Sequence, residues 1–186
     1  EFKKAQSKGL KGSKALYDKM DKEFYTISVY VDKDENLIGI PCGESDKYGI
    51  ADIDTVMLLK APYTDKALEN YINKVLDACY TKKHNDKEPK STIERYTGKN
   101  SFIEATKEYT MISIVKTKAA YSLMPAFHDP EKGPIVIDED ERIVPIKYNE
   151  GELSEHIRDY INVYLKGDPF YKERAELEAE KASKNN

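Results

Sequence analysis

The feature that most constrains this chain is that it matches itself. Laid beside residues 108–167, residues 23–82 keep step with them at offsets between 84 and 87. Ile27-Ser28 meets Ile112-Ser113, Ile40-Pro41 meets Met124-Pro125, Gly49 meets Gly133, and Tyr63 meets Tyr148. Further on, Leu68, Ile72, Leu76 and Cys79 meet Leu153, Ile157, Ile161 and Tyr164. Half-buried strands resemble one another by accident, but accident scatters the offsets. The spacing therefore predicts a divergent internal duplication.

Each unit reads as three strands and a helix. Residues 24–31 alternate and are rich in β-branched and aromatic side chains, as a half-buried strand requires. The polar run 32–36 is turn material, and residues 37–42 return as a second strand. Gly43, Ser45, Asp46 and Gly49 mark a loop over 43–50. Residues 55–61 are a nearly all-apolar third strand, ended by Pro62. A helix follows from Asp65 to Tyr80, with Leu68, Ile72, Val75, Leu76 and Cys79 on one face and Thr64 as N-cap. The second unit gives strands near 109–117, 120–126 and 142–148 and a helix near 150–166. Asn149 and Glu152 have N-cap/N3 spacing. Gly167 sits where a C′ glycine belongs, with Pro169 behind it. Pro145 demotes the last strand to an edge. Between the units, Ser91/Glu94 and Ser101/Glu104 both have capping-box spacing, which predicts two short helices on either side of Gly98.

These elements predict an α+β fold of two tandem βββα-like units, forming antiparallel sheet with the helices packed on one side. The 39% of hydrophobic residues suffices for a core in 186 residues. The expected organisation is a basic N-terminal segment (1–22), a single domain (23–167) with a helical linker (83–107) between its units, and a polar C-terminal helix or tail (168–186). No apolar run approaches 18 residues, and the first twenty residues lack an apolar signal core. Two cysteines, Cys42 and Cys79, make no disulfide framework and read as buried, reduced thiols. The chain is accordingly expected in the cytoplasm, away from membranes.

Charge is unevenly spread over a net −4. Residues 1–22 carry +4 and residues 82–118 carry +4, whereas residues 129–160 carry −6 around the run Asp138-Glu139-Asp140-Glu141. The acidic stretch reads either as solvated loop or as a surface that steers a basic partner. The overall sign, and the lack of a basic face interleaved with aromatics, argue against nucleic acid as a partner.

Catalytic signatures are missing. No P-loop, dinucleotide glycine motif, HExxH, CxxC or GxSxG occurs. His84 falls in the polar linker and reads as a surface residue. His128 lies in an acidic loop beside Asp129, and His156 lies near Glu152 and Glu155 on a helix. Neither set completes a metal site or an evident catalytic constellation, so no metal and no cofactor is expected. The fourteen tyrosines serve packing or interface anchoring, because Tyr offers large area at low entropic cost.

Three segments carry a resemblance: YTISVYVDKDENLIGIP (25–41), GIADIDTVMLLKAPYTDKAL (49–68) and STIERYTGKNSFIEATKEYTMISI (91–114). With the framework between them, the chain over 23–165 resembles the immunity proteins of contact-dependent growth inhibition systems. The resemblance implies a small cytosolic inhibitor, without catalysis, that binds the C-terminal toxin domain of a cognate protein. Such toxins are often nucleases, whose sites are commonly basic because they hold phosphate. An acidic inhibitor surface suits that partner. Charge alone selects the candidate toxin-binding residues: Asp138, Glu139, Asp140 and Glu141, with Asp129 and Glu131 before them. The matching loop of the first unit adds Glu44, Asp46 and Tyr48. Two other readings stand beside this one. A small hydrolase would use His128 or His156 with neighbouring carboxylates in a deep pocket, and a self-associating module would use an exposed strand edge.

Overall fold

The structure, a computed structural model, describes residues 24–165. Its strands are β1 (Tyr25–Val31), β2 (Leu37–Ser45), β3 (Gly49–Asp52), β4 (Met57–Leu59), β5 (Thr110–Lys116), β6 (Ala120–Asp129), β7 (Gly133–Val136) and β8 (Arg142–Pro145). Its helices are α1 (Asp65–Asp77), α2 (Thr92–Thr97), α3 (Phe102–Thr106) and α4 (Glu152–Tyr160). A 3-10 turn covers Asp138–Asp140, and a π-helical turn covers Ile161–Leu165. The expectations for residues 1–22, for Gly167 and Pro169, and for 168–186 lie outside the described residues.

All eight strands join one antiparallel sheet in the order β3-β2-β1-β5-β6-β7. β4 also pairs with β2, and β8 also pairs with β6. The fold is thus α+β, as expected, but each unit has four strands rather than three. β2 and β6 are long enough to pair twice along their outer edges. Ser45 faces Gly49 in one pairing and Leu37 faces Leu59 in the other. In the second unit, Asp129 faces Gly133 and Tyr121 faces Val144. The glycines read as loop markers are hairpin residues: Gly49 has φ 84° and Gly133 φ 81°, where a Cβ is disfavoured. Pro145 does close an edge strand.

The two units meet along β1 and β5, where Ser28 lies opposite Ser113. Their remaining registers correspond position for position. Ile27 faces Pro41 as Ile112 faces Pro125. Beyond β2, the Ile53 amide donates to the Pro41 carbonyl at 2.9 Å; beyond β6, the Ile137 amide donates to the Pro125 carbonyl at 2.8 Å.

Alternation along each strand divides the core between two faces. Ile27, Val29 and Val31 of β1 join Ile112, Ile114, Tyr121 and Leu123 beneath Leu68, Ile72, Val75 and Leu76 of α1 and Leu153, Ile157 and Tyr160 of α4. Tyr30, Ile38, Ile40, Met111 and Ala126 point the other way and pack on Ile93 of α2 and on Ala105 and Phe102 of α3. Helices therefore cover both faces, which corrects the expected single helical side. The linker helices carry their own apolar residues, Ile93, Phe102 and Ala105, and pack them with Tyr30, Ile38 and Ile40 on the face away from α1 and α4.

Local chemistry explains the helix limits. Thr64 caps α1 by accepting from the Ala67 amide at 3.1 Å. Ser91 and Glu94 form a full capping box, and α2 ends on Gly98 at φ 68°. Ser101 caps α3 through the Glu104 amide, but no return bond from the Glu104 side chain completes that box. α4 departs from the sequence expectation. Its N-cap position is Gly151 at φ 102°, with no side-chain cap of its own. Asn149 lies two residues earlier and donates to Glu152 instead. The cap comes from α1: the buried Glu69 carboxylate accepts from the amides of Gly151 at 2.9 Å and Ser154 at 3.2 Å.

Candidate functional site

The acidic residues singled out in the sequence occupy three separate places. β2 runs past the Tyr25 end of β1, and β6 runs past the Thr110 end of β5. Because Tyr25 pairs with Lys116 and Val31 with Thr110, the two hairpin tips project from opposite ends of the sheet. Glu44, Asp46 and Tyr48 lie at one end. Asp129 and Glu131 lie at the other. Asp138, Glu139, Asp140 and Glu141 flank the outer edge of β6.

The first hairpin is tied to the linker. Ser45 Oγ donates to Asp86 Oδ1 at 2.5 Å, and the Asp46 amide donates to Asp86 Oδ2 at 2.9 Å. The Ser45 bond holds the Asp86 carboxyl below the usual carboxylate range. Lys83 Nζ lies 3.5 Å from Glu44 and 3.9 Å from Asp46, so the acids there already have a cation. The His84 amide donates to the Glu44 carbonyl at 2.8 Å, and its ring Nδ1 sits 2.6 Å from the Asp52 carbonyl. His84 is thus a half-buried anchor of this hairpin, not the surface residue expected, because the linker folds back along β2. Tyr48 stays 61% exposed, its ring edge-on to that of His84.

Beside this anchor, Cys42 Sγ lies 3.4 Å from Asp52 Oδ1. Burial pushes the Asp52 carboxyl up to about 6, against the lowering influence of Cys42 and His84. Burial also drives the Cys42 thiol far above its usual range, which makes it a poor nucleophile. Both cysteines are free and buried.

At the second hairpin the Asp129 carboxylate accepts from the Glu131 and Lys132 amides at 2.8 and 2.9 Å, which shapes its own turn. Glu131 is exposed. Next to this hairpin lies a cleft of about 310 Å³, lined by Lys107, Glu108, Thr110, His128 and Tyr164 among others. The His128 ring contacts Thr106 Oγ1 and the Ile103 carbonyl, each at 3.3 Å. His156 does not line this cleft. Its Nδ1 is buried on α4 without a hydrogen-bond partner. The two histidines weighed for hydrolysis are not brought together there.

The third place differs from the other two. Asp140 turns inward, accepting from Tyr164 Oη at 2.6 Å through Oδ2 and facing Arg142 at 3.6 Å, while its carbonyl takes the Tyr160 hydroxyl. Asp138, Glu139 and Glu141 turn outward and are exposed. Among the described residues, none of these three takes part in an ion pair. Glu141 accepts a short hydrogen bond from Ser122, which places it over the same face as that side chain. The face is apolar there. Ile143 is opposite Ser122, Val136 is opposite Ala126, and Met124 lies between. Ile143 is 57% exposed and Val136 is exposed too. Three carboxylates without an ion pair among the described residues, around an exposed apolar strip, make a surface suited to a basic partner with apolar contacts. The sequence exposed the acids but not the strip, because Ile143 in the alternating run 142–145 reads equally well as core.

No family model matches the chain, and no curated protein does. The fold is similar to that of the protein of unknown function NMB0488 from Neisseria meningitidis (TM-score 0.58, 11% identity, covering 76% of this chain and 95% of that one). It is likewise similar to a chain of the CdiA-CT/CdiI toxin and immunity complex from Yersinia pseudotuberculosis (TM-score 0.55, 13% identity, covering 75% of this chain and 97% of that one). At these identities the likeness is one of fold. No helix among the described residues is long and apolar enough to cross a membrane, and no cluster of metal-ligating side chains occurs among them.

Proposed function

We propose that this chain is an immunity protein that binds and neutralises the C-terminal toxin domain of a cognate protein in contact-dependent growth inhibition or a related form of bacterial competition. The observation that carries this reading is the outward trio Asp138, Glu139 and Glu141, exposed and without an ion-pair partner among the described residues. The fold likeness to a chain of a toxin and immunity complex supports it. Such a trio suits a nuclease, whose phosphate-binding site is basic. In this reading the inhibitor acts in the cytoplasm without catalysis and supplies negative charge where the toxin would hold its substrate. The domain spans 23–167, and its two halves descend from a duplication, a view supported by their corresponding registers.

Co-expression with the protein domain encoded directly upstream tests the proposal. An immunity protein should restore growth to cells producing that domain and should form a one-to-one complex with it. Association should slow as salt rises from 50 to 500 mM, since the Debye length is only about 10 Å at 0.1 M. Toxicity unaffected by this chain, with no complex at low salt, sinks the proposal.

A further inference from the structure

The molecule contains a template for how its open face is filled. In the first half, the sheet positions Tyr30, Ile38 and Ile40 are buried, at 5% exposure or less. They are covered by the linker, with Ile93 of α2 set among them. The turn at their outer edge is engaged as well. Thr92 Oγ1 donates to the Ile53 carbonyl at 3.1 Å, Arg95 Nη2 pairs with Asp54 at 3.0 Å, and Lys82 Nζ reaches the Asp54 carbonyl at 3.1 Å. An apolar side chain on the sheet and a cation on the turn's carboxylate thus come from one basic stretch of chain.

The second half repeats part of that surface, over Val115, Ser122 and Met124, which do not join this cluster among the described residues. The register that sets Tyr30 against Ile38 sets Val115 against Ser122. Ile38 faces Leu58 as Ser122 faces Ile143, and Ile40 faces Ser28 as Met124 faces Ser113. Ile137 takes the place of Ile53 on the outer-edge hydrogen bond, so Asp138 follows it as Asp54 follows Ile53. Yet Val115, Ser122 and Met124 are only half-buried and do not belong to the cluster that α2 and α3 join. Asp138, unlike Asp54, has no basic partner among the described residues.

We infer that this face is the docking surface for the toxin domain, and that a basic segment of that domain occupies it as the linker occupies the first half. One of the segment's apolar side chains lies across Val115, Met124 and Ile143, and one of its Arg or Lys side chains meets Asp138 or Glu139. The inference rests on the immunity reading and specifies its interface. Charge complementarity identifies the occupant, because the matching acidic turn in the first half is held by Arg95 and Lys82.

The test is calorimetric titration of the purified toxin domain encoded upstream into the full chain and its variants. Ile143→Glu and the double variant Asp138→Lys/Glu139→Lys alter exposed positions, and thermal melts should match the parent. Each should weaken the dissociation constant by about 30-fold or more, the scale of an interface hot spot. Leu58→Glu, at the corresponding exposed position of the first half, should change it by less than about 3-fold. Hydrogen exchange of the complex should show new protection over 136–143. Failure of the parent chain to bind overturns the immunity reading and this inference with it. Tight binding by every variant, or loss only with Glu44→Lys/Asp46→Lys, overturns the inference and leaves the immunity reading standing. A self-associated parent that Ile143→Glu renders monomeric assigns the face to a second copy and also overturns it.

Discussion

Replacing Glu69 with Ala should loosen α4 from a distance of more than eighty residues in sequence. Glu69 is 5% exposed, and its carboxylate accepts from two backbone amides at the start of α4. A hydrogen bond to a charged group contributes about 1.5–3 kcal/mol, and a carboxylate at a helix N-terminus adds about 0.3–1 kcal/mol. Against this, Ala removes a carboxylate that is costly to bury, and water can reach the half-buried Gly151 amide. The expected net loss is about 2–4 kcal/mol, above the ~1 kcal/mol typical of one neutral N-cap. Glu69→Gln keeps an acceptor oxygen without the charge and should lose about half as much. Urea denaturation at pH 7 gives the stabilities. Native-state hydrogen exchange adds a local reading: the Gly151 and Ser154 amides should lose protection, while the Ala67 amide, capped by Thr64, should not. A loss under about 0.5 kcal/mol, or unchanged protection at Gly151 and Ser154, refutes the capping role.

Two further perturbations test other parts of the fold. The Asp52 carboxyl, raised to about 6 from an ordinary 3.8, holds its proton more tightly when folded than when unfolded. Stability should therefore fall as pH rises between those values and level off above, by at most about 3 kcal/mol. Asp52→Asn should flatten that slope in urea midpoints from pH 4 to 7, and parallel profiles for the two proteins would show the reasoning wrong. Gly39→Ala should destabilise by about 1–3 kcal/mol, the usual scale of overpacking. Its Cβ would come within 2.7 Å of both Tyr71 Oη and Val75 Cγ2, and thermal melts at neutral pH should show it.

The strands and the longer helices were legible because their signals are local. Alternation marked β1 and β5, the apolar stripe of α1 gave its buried face, and Ser91 with Glu94 gave the start of α2. What the sequence concealed depends on partners far along the chain. Residues 43–50 look like loop because Gly43 and Gly49 punctuate them, yet β2 passes through Gly43 with Lys82 and Ile53 too close to admit a Cβ. Asn149 looks like a cap, but the cap is Glu69. The Asp138–Glu141 run looks uniformly acidic, whereas Tyr160, Tyr164 and Arg142 draw Asp140 inward and leave three carboxylates for solvent. Burial of a side chain by a neighbouring element leaves no mark in the spacing of its own element.

On the proposed duplication, the Ser28–Ser113 pairing at the centre of the sheet carries a consequence for ancestry. A half-length chain pairing β1 with its own copy in this register would build the same strand order as an isologous dimer. Such a dimer must treat its two halves alike, so both outer faces would be covered or both bare. Had two copies been joined into one polypeptide, the linker would meet the two faces unequally, as here: Tyr30, Ile38 and Ile40 share a cluster with Ile93, and Val115, Ser122 and Met124 do not. On the duplication proposed here, gene fusion itself broke the symmetry, because a single linker cannot pack alike on two equivalent faces; on the docking proposed above, the less covered face is the one left to meet another protein.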